Sequence, residues 1–201
     1  MEIVNQSVLD SIPQNIPIFL NLGGGLQCVP NHYNVDFMKF PGVDIIADLN
    51  NPLYKLPENT VAGIYSSNTF EHISNLFGLL SEIHRVCRND ARCEIIVPHF
   101  ANPYYYSDPT HIRQFGLFTM HYFVSNEQQW RRKVPSYYSD TKFKLLDVEL
   151  TFYKDSLFDH LASPITHFLI NKSRFTQHLF EIRFCWLFPP AHVKYILQIE
   201  K

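Results

Sequence analysis

The amino-acid sequence predicts an α/β fold with a mostly parallel central sheet, and three observations support that prediction. Short apolar segments alternate with helical or loop segments along the first half of the chain, which is the pattern of folds whose helices connect parallel strands. The clearest helix carries apolar residues three and four positions apart, at Leu76, Leu79, Leu80, Ile83 and Val86. Three consecutive glycines, Gly23 to Gly25, follow the first apolar segment, at the edge where such a sheet presents its ligand sites.

Seven strands are predicted, because seven segments are short, apolar and bounded by turn residues. They cover residues 16–22, 33–36, 43–47, 61–66, 93–97, 143–153 and 193–199. The helix follows the fourth strand, with Ser74 as its expected cap. Asp36 ends the second strand only 13 residues after Gly23, so the first connecting helix is expected to be shortened.

A single domain over residues 1–201 is predicted, with helices flanking the sheet. Residues 1–15 are polar and are expected to form an irregular lead-in. Residues 98–140 predict a long functional loop with short helices above the sheet. Residues 156–188 are unusually aromatic and predict a helical segment that Pro189 ends.

The composition excludes several classes of protein. Hydrophobic residues make up 46% and charged residues 18% of the chain, as in a folded domain. The net charge of −2 argues against nucleic acid as a partner, and no apolar run approaches the length of a membrane span. The four cysteines form no CxxC pair, which favours free thiols in a reducing compartment. With no signal-peptide pattern at the N-terminus, the sequence predicts a cytoplasmic protein.

Six motifs, in this order, resemble the class I S-adenosylmethionine-dependent methyltransferases, in particular their small methyltransferase domains. The motifs lie at residues 20–25, 34–36, 43–49, 64–73, 82–86 and 108–111. The resemblance is good over residues 16–125 and looser beyond them. It implies a Rossmann-like fold, S-adenosyl-L-methionine as the cofactor and S-adenosyl-L-homocysteine as the product.

The resemblance also implies roles for single residues. Gly23 and Gly25 match the first two glycines of the family's loop, beside which the methionine part of the cofactor passes. Asp36 would accept hydrogen bonds from both ribose hydroxyls. Asp48, together with the backbone of Leu49, would contact the adenine.

The remaining predicted cofactor-binding residues are Asn21, Gly24, Phe37, Ser66, Ser67 and Asn68. Of these, residues 66–68 would lie below the sulfonium and its methyl group. A dinucleotide-binding fold is the alternative, but it expects a third glycine where this chain has Cys28, and an acid about 20 residues after the loop. Taken alone, the glycines are equally consistent with a tight turn, and Asp36 with a turn residue.

The candidate catalytic residues are Asp108, His111 and His72. Asp108 precedes His111 by three residues and would orient its ring, so that the imidazole acts as a general base. Members of the family that this sequence resembles often carry a similar segment after the fifth strand. The alternative is that Asp108 caps a turn and His111 holds the loop closed. For His72 a packed, hydrogen-bonded histidine is favoured over a base.

No metal ion is predicted. Asn68 stands where the metal-dependent relatives carry an acidic ligand, and a magnesium-type ion prefers charged oxygen ligands. Glu71 is expected instead to complement the dipole at the start of the helix.

The predicted acceptor is a small molecule, methylated on a hydroxyl of a sugar or secondary metabolite. Residues 98–140 and 156–188 would cap the site on the acceptor side. The alternatives are N- or carboxylate methylation of a small metabolite, and a protein that binds S-adenosylmethionine without turnover. The apolar stretch 175–188 leaves core packing and a homodimer interface as its two leading interpretations.

Overall fold

One central sheet organises this protein, as seen in a computed structural model that describes residues 1–135, 137–155 and 157–201. In the helix that begins at residue 157, the undescribed side chains are those of Leu157, Phe158, Asp159 and Leu161. Ser136 and Ser156 fall within the predicted segments 98–140 and 156–188 and lie outside the described residues.

Within the described residues, eight strands form a mostly parallel sheet, which confirms the predicted fold class and corrects the predicted number of seven strands. They are β1 (Glu2–Ile3), β2 (Ile18–Leu22), β3 (Tyr33–Asp36), β4 (Ile45–Ile46), β5 (Val61–Ser67), β6 (Cys87–Pro98), β7 (Phe143–Thr151) and β8 (His192–Ile199). Their order in the sheet is β1-β4-β3-β2-β5-β6-β8-β7. Strands β2 to β6 run parallel to one another. β1 is antiparallel to β4, and β8 is antiparallel to both β6 and β7.

The described residues form four α-helices, two before β6 in the sequence and two after it. The α-helices are α1 (Gln6–Ser11), α2 (Leu76–Val86), α3 (Leu157–Asn171) and α4 (Arg174–Arg183). Short 3-10 helices cover Phe70–His72, Pro103–Ser107 and Thr119–Phe123. Among the described residues, no helix has both the length and the apolar character needed to cross a bilayer.

Helix α2 confirms the prediction made from its apolar spacing. Its five apolar positions are all buried, and burying one such side chain stabilises the fold by about 1.5–3 kcal/mol. Its cap is Asn75 rather than the predicted Ser74, because the Asn75 side chain accepts the N–H of Gly78 at 3.1 Å. The N–H of Ser74 instead donates to the side chain of Asn50 at 2.9 Å.

The first fifteen residues are more regular than predicted. They contain α1, which Asn5 caps by accepting the N–H of Ser7 at 3.0 Å, and the two-residue strand β1. β1 pairs with β4 and so covers an edge of the sheet that would otherwise present unpaired backbone groups. β1 was not predicted because it lies in a polar segment, without the apolar run of residues 43–47 that predicted β4, a strand of the same length.

The connection between β2 and β3 consists of turns, with no helix among residues 23–32. The predicted shortening of the first helix is therefore complete. Gly23 and Gly25 in this connection have φ angles of 70° and 54°, which glycine adopts without the steric cost that other residues incur. The chain thus turns sharply at the carboxyl end of β2 and enters β3 after ten residues.

Residues after β6 return across the carboxyl end of the sheet. Two hydrogen bonds tie this loop to β8 and to the residue before it: Tyr195 donates to the carbonyl of Gly116 at 2.6 Å, and Asn102 donates to the carbonyl of Ala191 at 2.7 Å. The loop is thereby held over the same edge of the sheet as the glycine turn. The carboxyl ends of β2, β3 and β5 and this loop together enclose the candidate site.

Candidate active site

The glycine turn packs tightly against polar side chains from the neighbouring strands. A Cβ atom on Gly23 would overlap the side chain of Thr69, and one on Gly24 would overlap the amide groups of Asn34 and Asn21. Gly25 has a positive φ angle, and a Cβ atom there would meet only Oδ2 of Asp36, at an ordinary contact distance of 3.9 Å. The glycines are therefore required by close packing at two positions and by backbone conformation at a third.

Asp36 closes this turn. Its buried carboxylate accepts the N–H of Gly25 through Oδ2 and the N–H of Met38 through Oδ1, both at 2.9 Å. Each carboxylate oxygen can accept two hydrogen bonds, so each keeps one position for a ligand. Asp36 thus acts as a turn residue, as one interpretation of the sequence held, while it retains the capacity to bind a diol.

A cavity of about 690 Å³ lies in front of Asp36. It brings together six of the predicted cofactor-binding residues, namely Gly23, Asp36, Phe37, Asp48, Leu49 and Asn68. It is also lined by residues that sequence reasoning did not assign to the cofactor, namely Ala47, Asn50, Thr69, His72, Ile73 and Thr110. Phe37 is 70% exposed at its rim, where an aromatic side chain is free to fold over a ligand.

Two of the predicted cofactor-binding side chains point into the protein instead. The Asn21 amide donates to the carbonyl of Gln27 at 2.8 Å and to the side chain of Asn34 at 3.1 Å. The Ser66 hydroxyl is fully buried and donates to the carbonyl of Leu22 at 2.9 Å. Both side chains stabilise the turn, and neither lines the 690 Å³ cavity. Three further predicted cofactor-binding residues, Gly24, Gly25 and Ser67, also do not line this cavity.

Asp48 has a side chain already engaged with its own turn. Its Oδ1 accepts the backbone N–H of Asn50 at 2.9 Å, and its Oδ2 accepts the side chain of Asn51 at 2.8 Å. These bonds fix the orientation of the carboxylate in the cavity wall.

A second cavity, of about 340 Å³, adjoins the first. Asn68 and His72 line both of them. All three candidate catalytic residues line the second cavity, which adds Asp108 and His111 to His72. Asn68 has a φ angle of 51°, a left-handed conformation that asparagine tolerates better than most residues. The backbone therefore has an uncommon, left-handed conformation at Asn68, where the two cavities meet.

His111 has a defined tautomer. Its Nδ1 lies 2.9 Å from the carbonyl oxygen of Tyr105, which can only accept, so Nδ1 carries the proton. In the neutral imidazole Nε2 is then the acceptor, and the Tyr105 ring packs on the imidazole at 4.9 Å between centroids. This tautomer is the one that a general base at Nε2 requires.

Asp108 does not orient His111 by a hydrogen bond. Its Oδ1 accepts both the N–H and the hydroxyl of Thr110, at 2.8 Å and 2.5 Å, and these bonds lower the pKa of Asp108. Its Oδ2 is 3.6 Å from His111 Nε2. Asp108 is thus a turn cap and a nearby charge, and the orienting partner of His111 is the Tyr105 carbonyl, which no side-chain motif signals.

His72 is oriented in the same way by Thr110. Its Nδ1 lies 3.0 Å from the Thr110 hydroxyl and 3.3 Å from the Thr110 carbonyl. Since that hydroxyl donates its proton to Asp108, Nδ1 of His72 is the donor. In their neutral forms both histidines therefore present Nε2 as an acceptor to the same place.

That place is occupied by Glu71, the residue whose role sequence reasoning missed. Its carboxylate is fully buried, and within the described residues neither oxygen has a hydrogen-bond partner. Its Oε1 lies 3.9 Å from Nε2 of His111 and 4.0 Å from Nε2 of His72. Burial raises the pKa of Glu71 from 4.5 to about 7, and the negative charge of Asp108 acts in the same direction. The available signal was a charged residue between two large apolar ones, Phe70 and Ile73.

Glu71, His72 and His111 form a group with metal-ligand chemistry, since their ligand atoms lie within 4.8 Å of one another. Two ligands on one zinc-like ion, with bonds of about 2.1 Å, stand roughly 3.0–3.4 Å apart. The separations from Glu71 exceed that range by about half an ångström or more. The sequence-based expectation of no metal stays a prediction, because it considered Glu71 and His72 without His111.

Solved structures share this fold. A SAM-dependent methyltransferase from Archaeoglobus fulgidus matches with a TM-score of 0.57 at 20% sequence identity, over 96% of this chain and 93% of that chain. The MccD protein matches with a TM-score of 0.54 at 14% identity, over 99% and 100%. The YcgJ protein from Bacillus subtilis matches with a TM-score of 0.51 at 17% identity, over 98% of each chain.

No protein-family model and no curated protein sequence matches the chain. The similarity is therefore one of structure and not of sequence. It extends over nearly the whole length of both partners, and so beyond residues 16–125, where the sequence resemblance is good. The chain has the fold of the class I S-adenosylmethionine-dependent methyltransferases.

Proposed function

We propose that this protein is an S-adenosylmethionine-dependent methyltransferase that methylates a hydroxyl of a small molecule. The observation that carries the proposal is the meeting of two cavities at Asn68 and His72, one with Asp36 in its wall and the other with His111. A cofactor in the larger cavity and an acceptor in the smaller one would have their reacting groups at this junction. Alignment of this kind can supply about 7–11 kcal/mol of the barrier.

The larger cavity fits a nucleoside-containing cofactor. Its volume of about 690 Å³ lies in the range of about 300–1,000 Å³ for small-molecule sites. The free acceptor positions of Asp36 suit the two hydroxyls of a ribose, and Asp48 and Leu49 line the wall where the resemblance expects the adenine. Bound S-adenosylmethionine would supply a methyl group activated by its sulfonium.

The smaller cavity supports removal of a proton from the acceptor. Nε2 of His111 would take the hydroxyl proton, because the Tyr105 carbonyl keeps the other nitrogen protonated. The imidazolium so formed would lie 3.9 Å from Glu71. An ionised Glu71 would stabilise that positive charge, and its complete burial would strengthen the interaction.

Ligand binding tests the proposal directly. Titration calorimetry and thermal denaturation are carried out with S-adenosylmethionine, S-adenosylhomocysteine and NAD. We expect both methionine nucleosides to bind, and at 100 times Kd to raise the free energy of unfolding by about 2.7 kcal/mol. NAD should have no effect, because Asp36 lies too close to the glycine turn for a dinucleotide site. Stabilisation by NAD and by neither methionine nucleoside would contradict the proposal.

A further inference from the structure

A third cavity, of about 490 Å³, lies on the far side of the acceptor cavity from the cofactor site. Tyr104 and Tyr153 line both the third cavity and the acceptor cavity. Their rings meet edge to face, with centroids 5.6 Å apart. The Tyr153 hydroxyl donates to the side chain of Asn102, whereas Tyr104 is 65% exposed. The boundary between the two cavities is thus formed by the Tyr153 ring, which a hydrogen bond fixes, and by the Tyr104 ring, which is exposed to solvent.

The lining of the third cavity is mainly apolar. Its walls come from the end of β7, from α3 and from the turn before β8, with Phe152, Ala162, Leu187, Phe188 and Pro189 as the apolar contributors. Asp155, Ser163 and Thr166 add polar atoms. A cavity of this character suits an aliphatic chain better than a charged or sugar-like group.

The mouth of this cavity opens among exposed apolar side chains. Leu187 is 70% exposed and Phe188 is 55% exposed. On α3, Ile165 and Leu169 are 64% and 56% exposed, and they lie within one turn of the cavity-lining Ala162 and Thr166. In soluble proteins, a cluster of large apolar side chains that are exposed to solvent is typical of a binding surface.

We propose that the acceptor is an amphiphile, with its methylated hydroxyl beside His111 and its apolar chain running past Tyr104 and Tyr153 into the third cavity. This inference rests on the proposed methyltransferase function, and it names the class of acceptor. A second copy of the chain seated on the exposed face would not account for a cavity that shares Tyr104 and Tyr153 with the acceptor site. An acceptor that is polar throughout would leave the apolar cavity unfilled.

Binding of a homologous series tests the proposal. The probes are hexyl, octyl and decyl β-D-glucoside, each held below its critical micelle concentration and titrated calorimetrically into the protein saturated with S-adenosylhomocysteine. Because each buried methylene strengthens binding, we expect the affinity to rise by up to about fourfold per added methylene until the cavity is full. Equal affinity across the series would overturn the proposal.

Two substitutions that fill the cavity provide the structural control. Ala162→Phe and Thr166→Phe each place a ring in the cavity from α3, and either one suffices if the other does not fold. Phe168→Ala is the matched control, because Phe168 is on the same helix, is 67% exposed and does not line the cavity. We expect the chain-length dependence to vanish in the two filled variants and to persist in Phe168→Ala. The reverse pattern would show adhesion to the exposed face and would overturn the proposal.

The titration with S-adenosylhomocysteine distinguishes a failure of the amphiphilic-acceptor proposal from a failure of the methyltransferase proposal. If S-adenosylhomocysteine binds while the glucoside series is flat, the amphiphilic acceptor is wrong and the methyltransferase proposal stands. If S-adenosylhomocysteine does not bind, the function is wrong, and the glucoside series in its absence still decides whether the cavity takes an alkyl chain. A flat series together with a dimer that Leu187→Asp dissociates would assign the exposed face to a second copy.

Discussion

Glu71 combines complete burial with two unpartnered carboxylate oxygens, and this has a consequence for stability. Its pKa is about 7 in the folded protein against 4.5 for an unperturbed carboxyl, so folding favours the protonated form. The stability contributed by that protonated form is fully present below pH 4.5 and is lost as the pH rises through about 7.

Glu71→Gln should therefore stabilise the protein at pH 8 by up to about 3 kcal/mol, because the amide removes an ionisation that burial opposes. At pH 4.5 the same substitution should have little effect. Urea denaturation at the two pH values measures the difference, with Glu58→Gln on the surface as the control. A gain in stability that is equal at both pH values would contradict the assigned pKa.

His111 carries the second prediction at the scale of a residue. If its Nε2 is the general base, His111→Ala lowers kcat by roughly 10²–10⁴-fold and leaves the affinity for S-adenosylhomocysteine nearly unchanged. The rate of the wild type should rise with pH through about 7, as Glu71 ionises and stabilises the imidazolium, and Glu71→Gln should remove that rise.

The matched control for His111 is His84→Ala, because His84 contacts the carbonyl of Glu200 far from the site. Turnover is followed with S-adenosylmethionine and an acceptor found by screening. A His111→Ala enzyme with near-normal kcat and weakened cofactor binding would assign His111 to holding the loop closed.

The same residues show how far the site was predictable. The proximity of Asp36 to the glycine turn was predictable, because their positions along the chain carry the signal, and the Gly25 N–H joins the two. The proximity of Glu71 to His111 was not predictable, because 40 residues separate them in sequence and only the loop after β6 brings them together. Of the two roles open for Asp108, orienting the ring and capping a turn, the structure shows the cap, and the Tyr105 carbonyl holds the ring.

The glycine turn between β2 and β3 makes a prediction at the scale of an element. Gly24→Ala should destabilise the protein by about 1–3 kcal/mol, because the new Cβ displaces Asn34 and Asn21, whose amides are held by the carbonyls of Gly25 and Gln27 at 2.9 Å and 2.8 Å. Gly25→Ala meets no close atom and bears only the left-handed backbone cost of about 1–2 kcal/mol.

The two glycine variants are compared by chemical denaturation and by S-adenosylhomocysteine affinity. Displacing Asn34 loosens the whole turn, so Gly24→Ala should lose more cofactor affinity than Gly25→Ala. Equal losses of affinity and of stability in the two variants would show that packing under the turn is not what requires glycine at position 24.

Elements with a strong local pattern were predictable and the others were not. Helix α2 and strands β3 and β8 follow their predicted positions within a residue or so. β6 is longer than predicted because it continues through Asp90, which has a φ angle of 63° at an irregular register with β5. A turn residue inside a strand hides the strand from a pattern-based prediction.

At the scale of the whole molecule, the expected independence from metal is open to a direct test. The carboxylate of Glu71 stands farther from the two histidines than shared ligands of one ion would. Dialysis against EDTA should therefore leave folding, S-adenosylhomocysteine affinity and turnover unchanged, with metal content checked by mass spectrometry. A loss of turnover that Zn²⁺ or Mg²⁺ restores would contradict the prediction.

The position of β8 between β6 and β7 also bears on how the chain is made. A ribosome completes β6 about 90 residues before it begins β8, which at synthesis rates of roughly 5–20 residues per second is a delay of about 5–20 s. During that delay β6 lacks its neighbour, and β7 lacks it too once β7 has been made, so each strand leaves an edge of unpaired backbone N–H and C=O groups. We expect the nascent polypeptide to need chaperones until β8 emerges and joins the two parts of the sheet.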